Sequence, residues 1–118
     1  MLESGRGRVG ISRDVVTAIA AIAVSEIAGV ANLRPGDKAL RRGEGLKRHV
    51  ETEVEGEKVR VTVRLALVYG NPIHRVAKEV QRSVKEEIEK MTGLQVTGVD
   101  VDVQRLVKAE ESVEEEEG

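Results

Sequence analysis

Tyr69-Gly70-Asn71-Pro72 and Met91-Thr92-Gly93-Leu94 bracket the stretch whose reading decides the fold. A strand pattern runs into Tyr69, a helical pattern runs from Pro72 to Met91, and a strand pattern resumes near Val96. Asn71 suits an N-cap, because its side-chain oxygen can accept from an orphan helix N–H, and Pro72 suits the first helical position. Gly93 suits the left-handed residue that ends a helix, with Leu94 folding back on the last turn. Between them Ile73, Val76, Ala77, Val80, Val84, Ile88 and Met91 recur at steps of three and four, which predicts one apolar stripe.

Upstream of this helix, Val59, Val61, Val63, Leu65, Leu67 and Tyr69 alternate with Arg60, Thr62 and Arg64. Before them Val50, Thr52 and Val54 alternate with Glu51, Glu53 and Glu55, and Gly56 marks the turn. This is a β-hairpin with one buried and one wet face, on which glutamates and arginines are expected to pair across strands. Downstream, Val99, Val101 and Val103 alternate with Asp100, Asp102 and Gln104. Val96 falls on the opposite parity, so Gly98 marks either a bulge or the strand's start.

The N-terminal half starts with a short alternating segment, Arg8 to Ile11, followed by Ser12 as a candidate N-cap and Asp14 in the first helical turn. A helix is expected from Arg13 to Ala28, closed by Gly29. Val15, Val16, Ile19, Ile22, Ala23 and Ile27 form its expected core stripe, and Ala20, Ala21 and Val24 widen it beyond what one packing face needs. Two explanations stand: the alanines allow close approach to a sheet or to the second helix, or Ala20, Ala21 and Val24 form a contact face for a partner. After Gly29 the periodicity stops. The loop over residues 31–47 carries Pro35, three glycines and the basic residues Arg34, Lys38, Arg41 and Arg42. A loop of this length serves either as a solvated connection or as a contact for an anion, a membrane surface or an acidic partner.

The order of elements predicts an α+β, two-layer βαββαβ domain: a mainly antiparallel four-stranded sheet with two helices on one face. Residues 1–6 are expected to be a flexible N-terminus, residues 7–107 the domain, and residues 108–118 a disordered acidic tail. The core must be aliphatic, because Tyr69 is the single aromatic residue. With no cysteine, the chain has no thiolate chemistry, disulfide or cysteine-ligated zinc. A net charge of −2 gives no global field toward nucleic acid or an anionic membrane. The chain reads as cytoplasmic, with no signal-peptide core and no apolar run long enough to span a bilayer.

No spacing here declares a reaction. Gly5-Arg6-Gly7-Arg8-Val9-Gly10 has the letters of a dinucleotide fingerprint but neither the strand before it nor the helix after it. His49 and His74 lie on different elements without a carboxylate at ligand spacing, so no metal, cofactor or catalytic residue is assigned. Sheet domains that bind RNA stack bases on aromatic side chains, which this sheet lacks, and no nucleic acid is expected.

The residues nonetheless resemble a family. Gly7-Arg8-Val9-Gly10-Ile11-Ser12, Val15-Val16, Ile19-Ala20, Ala23, Glu26 and Gly29-Val30-Ala31 look like the opening of the alkaline shock protein family. Tyr69-Gly70, Ile73, Val76-Ala77, Val80-Gln81, Val84, Met91-Thr92-Gly93-Leu94 and the Val99-to-Val103 alternation are closer still. The resemblance implies a non-enzymatic cytoplasmic protein of envelope stress response or homeostasis in Gram-positive bacteria. It would act through protein partners and self-association, with indirect membrane association through an anchor protein. A regulatory role in fatty-acid metabolism, through an enzyme or an anionic ligand, is the alternative that the family implies. A third alternative, RNA binding through the basic loop, is the weakest.

Overall fold

The computed structural model describes residues 2–3, 7–31 and 49–108. In chain order they form β1 (Leu2–Glu3), β2 (Arg8–Val9), α1 (Arg13–Ser25), β3 (Val50–Glu55), β4 (Lys58–Val68), α2 (Ile73–Thr92) and β5 (Gln95–Val107). The expected flexible terminus, basic loop and acidic tail fall almost entirely outside the described residues.

The α+β class holds, but the sheet differs from the expected one. It has three strands in the order β3-β4-β5, while β1 and β2 form a separate two-stranded ribbon. β3 pairs antiparallel with β4, in the register Val50↔Val63 to Glu55↔Lys58. β5 pairs parallel with β4, from Lys58↔Gln95 to Val68↔Val107. The reason is topological. Residues 8–11 supply only a two-residue strand, too short to enter the main sheet. The α2 crossover therefore lands β5 directly beside β4, and a crossover helix returns the chain parallel.

Two irregularities displace the β4–β5 register, one between Val59 and Arg60 and one between Leu65 and Ala66. The first leaves Thr97 over, next to Gly98, so of the two readings of that position, bulge or strand start, the bulge is the one found. The second leaves Gln104 over and has no counterpart in the sequence pattern. On the far side of β4, Val30 forms an antiparallel bridge with Leu67. The Ala31 amide donates to the Ala66 carbonyl at 2.9 Å, and the Val68 amide to the Gly29 carbonyl at 2.8 Å. The segment after α1 thus runs along the same edge of β4 as β3.

Local chemistry explains the helix ends. Ser12 caps α1 as expected, its hydroxyl accepting from the Val15 amide. α2 starts one residue later than expected: Pro72 is its N-cap, with no side-chain cap bond. Asn71 instead turns its amide back onto the Val68 carbonyl at 2.9 Å, closing the turn out of β4. At the other end Gly93 adopts the left-handed conformation, φ 77°, and its amide bonds the Glu89 carbonyl. Thr92 is buried because its hydroxyl donates to the Ile88 carbonyl at 2.6 Å and accepts from the Leu94 amide at 3.0 Å.

The core lies between the sheet and the two helices. Val59, Val61, Val63, Leu65 and Leu67 of β4 face Val16, Ile19, Ala20, Val24, Val76, Val80, Val84 and Ile88. Two polar side chains tie α2 to β5. The Gln81 amide donates to the Val99 carbonyl at 3.0 Å, and the Val96 amide donates to the Glu89 carboxylate at 2.9 Å. Lys85 pairs with the same carboxylate at 2.9 Å. Lys85 and the Val96 amide hold Glu89 below the usual carboxylate range. Its folded value is depressed, so its contribution to stability is present above the unfolded glutamate range and is lost as pH falls through the folded value. Glu89→Gln, which can still accept from Val96, is expected to flatten the acid side of stability against pH. Urea midpoints across that range check it, and an unchanged acid slope would contradict the assignment.

Candidate functional site

The polar face of the sheet and the outer face of α2 both carry ordered charge. Arg60 lies opposite Glu53 in the β3–β4 register, yet its guanidinium reaches from β4 to β5, where it donates to both oxygens of Asp100 at 3.0 and 3.2 Å. Arg64 pairs with Glu51 at 3.3 Å. Cross-strand pairing therefore occurs, in part with β5 rather than within the hairpin. On α2, Arg82 pairs with Glu79 and Glu86, and Lys90 with Glu87. All are exposed pairs, worth about 0–1 kcal/mol each.

The candidate contact residues divide into two groups. Arg34, Lys38, Arg41 and Arg42 lie outside the described residues. Ala20, Ala21 and Val24 lie inside the protein, each fully buried in the core. They form no contact face for a partner in this conformation, and the close-approach explanation of the alanines is the one that fits. α1 is turned relative to its expected stripe so that Ala20 sits within the buried arc, while Val15 and Ile22 are 47% and 43% exposed. Thr17 is turned toward β3, where its hydroxyl meets that of buried Thr52 at 2.8 Å. The sequence carried a signal for this: Thr52 occupies an inward position of β3 and needs a polar partner. Leucine at Ala21 is expected to cost about 1–3 kcal/mol by overpacking. Ile22→Ala, on the exposed side, is expected to stay within about 0.5–1 kcal/mol. Chemical denaturation of both variants checks the assignment, which equal effects would contradict.

Among the described residues, two of the clefts border the core. One of about 600 Å³ lies between the start of α1 and β3, lined by Arg13, Asp14, Thr17, Glu51, Thr52, Glu53 and Arg60 among others. Its charges are of both signs, and Arg60 is already engaged by Asp100. The other, about 400 Å³, lies beneath β2 and is lined by Val9, Ile11, Val54, Thr92 and Leu94 among others. Among the described residues no group of three or more His, Asp or Glu is placed to hold a metal ion. His74 is exposed at the start of α2. No described helix is long and apolar enough to cross a membrane. The outward features are surfaces: the apolar outer side of α1, the exposed Tyr69 and Ile73 near the start of α2, and the edge of β5 beyond Val99, which has no strand partner among the described residues.

These features define a small two-layer α+β domain that presents surfaces and strand edges. The chain belongs to the Asp-23 (alkaline shock protein) family, described as having a cell envelope-related function, whose model matches residues 1–108. It is 28% identical over 109 residues to the uncharacterized protein YloU of Bacillus subtilis (strain 168), covering 87% of this chain and 91% of that protein. It is 29% identical over 106 residues to the uncharacterized protein YqhY of the same strain, covering 82% and 75% respectively. A solved MamM CTD chain aligns with a TM-score of 0.49 at 12% identity, over 78% of this chain and 93% of the other.

Proposed function

We propose that this protein is a non-enzymatic cytoplasmic scaffold of cell-envelope stress response or homeostasis, working by self-association and by binding protein partners, with any membrane association made through an anchor protein. The observation that carries this reading is the match of residues 1–108 to a family of cell envelope-related function. The exposed apolar residues Val15 and Ile22 on α1, with Tyr69 and Ile73 at the head of α2, are the kind of surface such a role uses. The regulatory alternative in lipid metabolism calls for a concave apolar or basic pocket beside residues 31–48. The cleft next to Val50 carries Asp14, Glu51 and Glu53 against Arg13 and Arg60, which suits neither an acyl chain nor an anion.

The test is light scattering over a concentration series, together with affinity capture from the native host. Concentration-dependent mass, or recovery of envelope-associated proteins that α1 variants Val15→Glu and Ile22→Glu no longer capture, is expected. A strict monomer at all concentrations that also captures no partner would overturn the scaffold reading.

A further inference from the structure

The two outer strands of the sheet differ as edges. β3 is short, and its exposed face carries Glu51, Glu53 and Glu55. Any antiparallel copy of it would set glutamate opposite glutamate, which disfavours pairing. β5 runs from Gln95 to Val107 as the other edge, and α2 covers only its first part. Glu89 takes the Val96 amide and Gln81 the Val99 carbonyl. Beyond Val99 the outer edge has no partner among the described residues.

The direction of the peptide groups there follows from one bond. The Val107 carbonyl accepts from the Tyr69 amide at 2.7 Å, so it faces β4. Peptide groups alternate along a strand, so those of Leu106 face outward, as do those of Val101, which shares the parity of Val99. The leftover Gln104 changes the parity of the side chains as well. Asp100 and Asp102 before it, and Arg105 and Val107 after it, share the sheet's polar face; Val101, Val103 and Leu106 share the helix face. Asp102 and Arg105 are exposed and have no ion-pair partner among the described residues, and Leu106 is 44% exposed.

We propose that residues 100–107 of β5 pair antiparallel with the same residues of a second copy of this chain, in the register that sets Asp102 opposite Arg105 of that copy. The proposal deepens the self-association part of the scaffold reading and rests on it. The register is selected by charge and by face. Pairings centred on Asp100, Val101 or Asp102 place aspartate opposite aspartate, and pairings centred nearer Val99 meet the part of the edge that α2 already bonds. The pairing centred between Val103 and Gln104 places Asp102 opposite Arg105 twice, by symmetry, and Val101 opposite Leu106 on the helix face. Val101 and Leu106 then form the hydrogen-bonded pair. Asp102 and Arg105 form the non-hydrogen-bonded pair, with Cα atoms about 4.5 Å apart and side chains in reach. The bulge at Gln104 is what makes the strand self-complementary.

The test uses the full chain in sedimentation velocity from about 1 μM to about 1 mM, since a strand-sized contact is weak. Asp102→Arg and Arg105→Asp are each expected to weaken dimerisation about tenfold, and the double exchange to restore it, because two like-charge pairs replace two opposite ones. The double variant contains both substitutions, so its recovery separates loss of pairing from loss of folding. Register is read by cysteine. Asp102→Cys mixed with Arg105→Cys is expected to give a heterodimeric disulfide, since the paired positions lie within reach of an S–S bond. Either variant alone gives none, because like positions lie about 10 Å apart along the strand. Wild-type association that survives both single reversals overturns the β5 pairing and leaves the scaffold reading standing. A wild-type chain monomeric throughout overturns the pairing and removes self-association from that reading, leaving only its protein partners.

Discussion

Ile88→Ala is expected to lower the free energy of unfolding by about 2–5 kcal/mol, from lost apolar burial and the cavity left behind. Ile88 is among the largest fully buried side chains and lies in the cluster that joins both helices to the sheet. Its carbonyl also accepts the Thr92 hydroxyl, so a shift of the backbone there disturbs the last turn of α2 as well. The control is Met91→Ala. Met91 belongs to the same periodic stripe in the sequence, yet it is 63% exposed. It is expected to change stability by no more than about 0.5 kcal/mol. Urea unfolding of both variants gives the comparison, with an unchanged m-value required for the midpoints to be read as stability. Equal losses would mean that the stripe is buried to its end.

That contrast shows what the sequence can express. The steps from Val76 through Val80, Val84 and Ile88 to Thr92 define the buried line of α2, and periodicity finds all of it except threonine, which is buried because it serves as a local bonding hub. Ile73 and Met91 fit the same period but lie at the helix ends, where they are exposed. The Ser12 cap, the Gly93 ending and the hairpin register are set by neighbours in the chain, so they were legible. The arc that α1 buries was not. With apolar side chains almost all round, its orientation is decided by long-range events, such as the meeting of Thr17 with Thr52 and the room the alanines leave for α2. For this reason the sequence left both explanations of Ala20, Ala21 and Val24 open: an excess of apolar residues does not say which side is already covered.

The strand order was equally hidden. Alternation in Val99 to Val103 fits a strand beside β4 or beside any other neighbour. Only the shortness of β2 and the landing point of the crossover decide between them. The proposed pairing edge depends on the leftover residue at Gln104, and nothing in the alternation before it foretells that change of parity.

Gly29 carries the second large effect. It has φ 98°, which a β-branched residue adopts only with strain. A Cβ there would lie 3.1 Å from Val76 Cγ2 and 3.3 Å from Asn71 Cγ. Gly29→Val is therefore expected to cost about 1–3 kcal/mol in backbone strain and about as much again in displaced packing. The two costs can be separated. Gly70 has a similar φ, 110°, but open space where its Cβ would be. Gly70→Ala should show strain alone, and Gly29→Ala strain plus the contact with Val76 and Asn71, a difference of about 1 kcal/mol by denaturation. The consequence reaches beyond stability. The Gly29 carbonyl accepts the Val68 amide and Ala31 donates to Ala66, so this glycine sets where the chain leaves α1 and joins the edge of β4. Amide hydrogen exchange in Gly29→Val should accelerate first at Ala31 and Val68, ahead of β3. Uniform acceleration across the sheet would mean that the turn is not a separate joint but part of the core it borders.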